Sequence, residues 1–353
     1  MNLSPHHTRL CIHPRAYEHN IRYFTANTPP GVMICAVVKA DGYGHGLKII
    51  APAAVRGGAH YLGVADNWEA ELIRFLEIWL PIIRLRPALL EEAEAAADWE
   101  LEEIAGTLES AQELSRLGER RGKPIPVHLK IDVGIGRMGF SLPRQLERIQ
   151  EACRLAGIRV KGVMTHLPCA DEKDLELTRS QLQRFEQEAG ALDSILPPDV
   201  FWHAANSAAC LRLPSSRHGM VRVGIAAYGL KPSPEVALPP ELKPVMSWKT
   251  KVVLVRDMPK GSTVGYGMTH RLNRDARIAT LPIGYANGFL RAFSNNAETL
   301  IRGKRCPVVG RISMNMTTVD VSDLPEAAAG DEAVLLGEQG EDRICAEELA
   351  KRA

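Results

Sequence analysis

The sequence predicts an α/β protein: an N-terminal (β/α)8 barrel followed by a C-terminal, mostly antiparallel β domain. Three observations predict it. From about residue 30 to residue 230, short continuous apolar runs alternate with longer helical patterns, about eight times. Such runs between helices mark strands of a parallel sheet covered on both faces, and eight units over roughly 200 residues match a closed barrel better than an open sheet. Beyond residue 240 the helical patterns give way to strands separated by turns. Between the two lies "KPSPEVALPPELKP" (231–244), whose prolines mark a boundary. The division is therefore placed at 1–240 and 241–353, with the first dozen or so residues free to join the β domain.

The elements follow in order. "GVMICAVVK" (31–39) precedes an amphipathic stretch over 47–56. "HYLGVA" (60–65) precedes "NWEAELIRFLE", and "PIIRLR" (81–86) precedes "ALLEEAEAAAD". "LEEIAG" (101–106), the least apolar strand, precedes "SAQELSRLGERR". "PVHLKID" (126–132) precedes "PRQLERIQEACRLAG", and "RVKGVMTH" (159–166) precedes a long polar helix over 173–191. "DVFWHAAN" (199–206) leads into "SAACLRL", and "GMVRVG" (219–224) closes the series. In the β domain, "VMSWKTKVVLVRDMP", "STVGYG", "RIATLPIG", "ETLIRGKRCPVVGRISM", "TTVDVSD" and "EAVLLG" read as strands.

Composition narrows the function classes. A net charge of +1 gives no field to draw the chain to nucleic acid or a membrane surface. No apolar run approaches the length that spans a bilayer, and "MNLSPHHTRL" has no leader-like apolar stretch. The 7 cysteines are scattered, odd in number and without a CxxC pair. That argues against a disulfide framework or a zinc site and fits a reducing cytoplasm.

Catalytic groups of such barrels sit at the C-terminal ends of the strands. Lys39 ends the first run, His166 the sixth, Asn206 and Ser207 the seventh; Arg222, Gly224 and Ile225 lie at the exit of the eighth. The loops after strands seven and eight commonly bind phosphate, and here they offer a hydroxyl and unshielded backbone N–H groups. A lysine facing a phosphate site across a barrel mouth points to a Schiff-base lysine and pyridoxal phosphate. Taken singly, Lys39 would be a solvated strand end, His166 a core histidine, Arg222 an ion-pair partner and Tyr266 a turn aromatic; their weight is joint. "GIGRMG" (134–139) matches the glycine pattern of dinucleotide-binding loops, but "FSLP" intervenes before any helix, with Ser141 placed as its N-cap and Pro143 in its first turn.

"AVVKADGYGHG" resembles the cofactor-lysine segment of the alanine racemase family. So do "HAANSAA", "MVRVGIAAYGL", "VGYG" (264–267), "LPIGYANG" (281–288) and "VGRISMNMTTVDV" (309–321), in order and across nearly the whole chain. The resemblance implies racemisation of alanine, an amino-acid substrate, pyridoxal phosphate and a head-to-tail homodimer that makes D-alanine for peptidoglycan. It implies that Lys39 is the Schiff-base lysine and one base, and that Tyr266 is the opposite base, given by the partner subunit. Arg222 resembles the arginine at the pyridine nitrogen. Tyr43, Ser207, Gly224 and Ile225 resemble phosphate ligands, with Asn206 beside them, and His166 resembles the link between Tyr266 and Arg222. Arg137 resembles the holder of the substrate carboxylate. Lys130 matches a lysine often carbamylated in the family. Tyr285 and Met314 resemble entrance and carboxylate-binding residues from the partner. Two bases suit the chemistry, since one face must lose the α proton and the other receive one. Lysine and tyrosine both titrate near about pH 10 when unperturbed, so each must be activated.

The sequence departs from the family in two places. "SMNM" has Asn315 where aspartate is common and Ser313 where cysteine is common. The chain stops at "CAEELAKRA", in a helical pattern, where the family continues into a tyrosine-bearing segment. A shortened end would weaken cofactor binding and expose a sheet edge. A serine or broad-specificity racemase, and a cofactor-binding protein without racemase activity, stand as alternatives.

Overall fold

The computed structural model describes residues 7–141 and 143–353. The first six positions of the N-terminal stretch read above therefore fall outside it. The chain forms two units.

The first, Pro14–Val245, is the barrel. Strand β1 (Arg9–Ile12) precedes it. Its own strands are β2 (Met33–Val37), β3 (Tyr61–Val64), β4 (Ile82–Arg84), β5 (Leu101–Ala105), β6 (Ile125–Lys130), β7 (Ile158–Met164), β8 (Phe201–His203) and β9 (Met220–Val223). They pair in parallel in the order β8-β7-β6-β5-β4-β3-β2-β9. Two backbone bonds link the ends of that order, Gly219 N–H to Trp202 O at 3.0 Å and Arg222 N–H to Ala205 O at 2.9 Å. Strand β5, the least apolar by sequence, is buried along its whole length. Cys35, Val37, Tyr61, Ile83, Ile104, Met164 and Met220 pack together, with Phe201 against them. Every barrel strand except β6 contributes to this cluster. β6 buries the polar His128 and Lys130 along with Ile125, Val127 and Leu129.

The proline-rich stretch stays with the barrel. The Asn20 side chain donates to Ala227 O at 2.9 Å and Lys243 O at 2.7 Å, and accepts from Lys243 N–H at 2.9 Å. The glycines of "GIGRMG" do not run into a helix. Asp132 accepts backbone N–H bonds from Gly134, Ile135 and Gly136, each at 2.9 Å, and folds the loop onto itself. The next helix starts only at Leu146, with Gln145 at its N-cap position. Ser141 is therefore not the cap; its N–H donates to Gln145 Oε1 at 2.7 Å.

The second unit takes in the N-terminal segment up to His13 and Met246–Ala353. Its strands are β10 (Met246–Lys251), β11 (Leu254–Met258), β12 (Thr263–Val264), β13 (His270–Arg271), β14 (Ala276–Leu281), β15 (Glu298–Ile301), β16 (Lys304–Pro307), β17 (Thr317–Asp320), β18 (Glu332–Gln339) and β19 (Asp342–Ile344). All pair antiparallel: β1-β10-β18-β15-β16 with β19 on β18, then β11-β14-β17, then β12-β13. The run 245–259, read as one strand, is two strands in different sheets. The chain changes sheet at adjacent valines: Val252 N–H donates to Asp331 O, and Val253 N–H to Thr280 O, both at 2.9 Å. A helix, Ala346–Arg352, follows β19, and Glu298 and Glu348 both bind Arg352.

Candidate active site

Ten of the candidate residues line one cavity of about 310 Å³ in the barrel unit: Lys39, Tyr43, Lys130, Arg137, His166, Asn206, Ser207, Arg222, Gly224 and Ile225. Val37, Leu85, Met138 and Met164 supply its apolar wall. The volume suits a cofactor-sized ligand with a small substrate.

Lys39 lies two residues past β2 rather than on its end. The backbone after it coils left-handed. Ala40, Asp41 and Tyr43 have φ of 55°, 53° and 55°, with Gly42 at 63° between them. Each non-glycine residue in that region costs about 1–2 kcal/mol. Local bonds hold the turn: Gly42 N–H to Val38 O at 2.8 Å, and Gly46 N–H to Asp41 O at 2.9 Å. The Asp41 carboxylate accepts Leu47 N–H at 2.7 Å, and buried Glu69 accepts Asp41 N–H at 3.2 Å and Ala65 N–H at 2.7 Å. Strained backbone so over-determined is common where a reactive side chain must be aimed.

Across the cavity, Asn206 caps the helix Ser207–Arg212, its Oδ1 accepting Ala209 N–H at 3.0 Å. Ser207 Oγ accepts Gly224 N–H at 2.9 Å and Ala226 N–H at 3.4 Å. With its lone pairs so used, its own proton is left to donate to an anion. A Cβ at Gly224 would lie 2.5 Å from the Tyr43 hydroxyl oxygen, so only glycine lets that hydroxyl reach the cradle.

Arg222 is buried. Its terminal nitrogens donate to Thr165 O at 2.8 Å, Ala204 O and His203 O at 3.1 Å, and to the His203 ring Nδ1 at 2.8 Å. These bonds do not use Nε. Burial lowers its pKa to about 10, which still leaves it a cation at neutral pH. Among the described residues, the imidazole it bonds is that of His203 and not of His166. The reason is register: β8 lies beside β9 and brings His203 level with Arg222. His166 lines the same cavity, and burial together with Arg222, Lys130, Arg137 and Lys39 pushes its pKa down to about 3. It is therefore a neutral imidazole.

Lys130 is fully buried, and its Nζ has no hydrogen-bond partner. Burial, Arg222 and Arg137 hold its pKa well below the ordinary lysine value, against a smaller opposing pull from Asp132.

The remaining candidates, Tyr266, Tyr285 and Met314, are carried by the β unit and exposed, Tyr266 by 70%. Their loops rest on one segment, 310–316. Gly265 (φ 78°) packs on Gly310 and Arg311 so closely that a Cβ would lie 2.7 Å from Arg311 N. Tyr285 N–H donates to Ser313 O at 3.1 Å and Ala286 N–H to Met314 O at 3.0 Å. Ser313, the departure from cysteine, thus serves here through its backbone. Asn315 is exposed on the same segment. Sequence reading passes over three buried side chains next to the site, His203, His128 and Glu102. For His128 a signal was available, since it alternates with Lys130 inside an otherwise apolar run; Glu102 stands beside Glu103, and His203 is alone in its strand.

Comparison with known proteins agrees with this geometry. The family described as alanine racemase, N-terminal domain, matches residues 12–232, and the C-terminal domain of the same family matches 245–353. An alanine racemase from Symbiobacterium thermophilum is 44% identical over 318 residues, covering 90% of this chain and 84% of the relative. A broad specificity amino-acid racemase from Pseudomonas taetrolens is 39% identical over 344 residues, covering 96% and 82%. Among solved structures, an alanine racemase from Bartonella henselae with covalently bound pyridoxal phosphate superposes with a TM-score of 0.88 at 26% identity, over 99% of this chain and 94% of that one.

Proposed function

This chain belongs to the alanine racemase family, an isomerase family, and from that membership we propose that it interconverts L- and D-alanine with pyridoxal phosphate and two bases. The convergence of ten candidate residues on one cavity carries the reading. The cavity's residues fit the cofactor: the Ser207 proton and the Tyr43 hydroxyl would hold a phosphate, and the Nε of Arg222, unused in its bonds to Thr165, His203 and Ala204, would hold a ring nitrogen. When bound, pyridoxal phosphate supplies the carbon that takes the substrate amine and the conjugated ring that acidifies its α C–H.

The chain's own residues do the rest. Lys39 Nζ holds the cofactor and moves the α proton on one face; the Oη of Tyr266 of the partner subunit moves it on the other. Arg222 stays protonated, so it donates a hydrogen bond to the ring nitrogen without surrendering its proton. A ring nitrogen held by a donor of this kind would supply a weaker electron sink than a pyridinium. Arg137 holds the substrate carboxylate, and Tyr285 of the partner subunit narrows the entrance with Met314 of the partner subunit. Lys130, whose pKa is lowered by burial, favours a carbamate: in its unprotonated form the amine nitrogen bonds the carbon of carbon dioxide, releases a proton and gives Arg137 an anionic partner. The exposed side chains of Tyr266, Met268, Tyr285, Met314 and Met316 support assembly with a second copy. The D-alanine formed would serve peptidoglycan synthesis.

The test is a pair of variants. Lys39→Ala should lose covalent cofactor binding. Tyr266→Phe should keep the yellow holoenzyme and lose racemisation by about 10²–10⁴-fold. Unchanged racemisation in Tyr266→Phe would remove it from the mechanism. A second reading, racemisation of several amino acids, is favoured by the Pseudomonas taetrolens relative and differs in its range of D-products.

A further inference from the structure

A line of buried polar side chains runs away from the cavity through the barrel interior. Arg222 Nη1 bonds His203 Nδ1 at 2.8 Å, His203 Nε2 meets His128 Nδ1 at 2.9 Å, and His128 Nε2 meets Glu102 Oε2 at 2.6 Å. All four residues are buried. The Tyr61 hydroxyl adds a longer bond to Glu102 Oε1 at 3.4 Å.

The direction of the chain follows from chemistry. Arginine only donates, so His203 Nδ1 must be an unprotonated acceptor. The His203 proton is then on Nε2 and donates to His128 Nδ1. His128 carries its own proton on Nε2 and gives that hydrogen bond to Glu102. Both rings are neutral and both hold the same tautomer. Room has been made for the line: a Cβ at Gly162, on β7, would lie 2.5 Å from His128 Nδ1. The surrounding cluster is otherwise apolar, with Tyr61 and Phe201 beside Cys, Val, Ile and Met side chains. A polar network there is tolerable only if every member is satisfied.

We propose that Glu102 is a positioning residue, which through His128 and His203 sets the tautomer that receives Arg222 and so fixes the guanidinium at the cavity. This deepens the function proposed above and rests on it for the identity of the ligand. The bonds of Arg222 to Thr165 O, Ala204 O and His203 O are to uncharged carbonyls. Glu102 is the carboxylate at the far end of the line, joined to the guanidinium only through the two imidazoles.

The test uses the full chain with ¹⁵N-labelled histidine, first without cofactor. Long-range proton–nitrogen NMR should find His203 and His128 neutral, each with its proton on Nε2. Glu102→Gln, whose amide oxygen still accepts, should keep both tautomers. Glu102→Leu should alter the tautomer of His203, which residue 102 does not touch. In the cofactor-loaded enzyme, Glu102→Leu should lower kcat about tenfold with KM within about twofold, and Glu102→Gln should restore most of it. A wild-type His203 protonated on Nδ1, or charged, overturns the proposal even if the leucine variant does not fold. So does a leucine variant with unchanged His203 tautomer and kcat. Tautomers that respond as expected in a protein making no D-alanine would uphold the relay and refute the function proposed for the site.

Discussion

A lysine with no partner inside a barrel is costly, and burial with Arg222 and Arg137 nearby holds the Lys130 amine well below its ordinary pKa. The neutral amine is the form that reacts with carbon dioxide. The purified protein equilibrated with ¹³C-bicarbonate should give one carbamate carbon resonance that Lys130→Arg lacks; a spectrum without it would leave Lys130 an unmodified buried amine. His166 offers a second test. Its ordinary pKa is about 6.5, and in the folded chain it is about 3. Between those values the unfolded chain binds a proton that the folded chain refuses, so stability falls as pH drops from about 6.5 toward 3. From pH 7 to pH 5 this one group removes about 2 kcal/mol. Urea midpoints at the two pH values should fall further in the wild type than in His166→Gln. Equal falls would mean that His166 is not held neutral.

Elements turn these side chains into a site. The left-handed turn after β2 swings Lys39 and Tyr43 toward Ser207 and Gly224, and Gly224 leaves the space that Tyr43 fills. Gly224→Ala should therefore weaken pyridoxal phosphate binding about tenfold or more, since its Cβ would meet the Tyr43 hydroxyl oxygen at 2.5 Å. Retained affinity in a fluorescence titration would show that Tyr43 does not need that approach. The barrel strands were legible because continuous apolar runs between amphipathic helices have one packing solution. Strand ends were less so: Lys39 and His166 each lie two residues beyond the strand they were read as ending. A left-handed turn containing alanine, aspartate and tyrosine contradicts local preference, so no propensity announces it. The sheet switch at Val252 was hidden for another reason, because a run of β-formers looks alike whether it serves one sheet or two. The bond between His128 and His203 was not legible, because hydrogen bonding across strands depends on register, which one strand's sequence does not carry.

At the scale of the whole molecule, the chain carries its candidate bases on separate units, Lys39 on the barrel and Tyr266 on the β unit. If Tyr266 acts across a subunit interface, mixing Lys39→Ala with Tyr266→Phe should create hybrid dimers in which one site has both bases. Activity should return to about a quarter of wild type after full exchange, because half of the dimers are hybrids and each has one intact site. Exchange without recovery would place both bases in one chain. Among the described residues, no helix is long and apolar enough to cross a membrane.

The most direct test of the central claim is chiral chromatography after incubation of the purified protein with pyridoxal phosphate and a mixture of L-amino acids. D-alanine should form, approaching equal amounts of the two enantiomers because the reaction is symmetric. Several D-products would widen the substrate range to that of a broad specificity racemase. A folded, cofactor-loaded protein that leaves L-alanine unchanged would contradict the account.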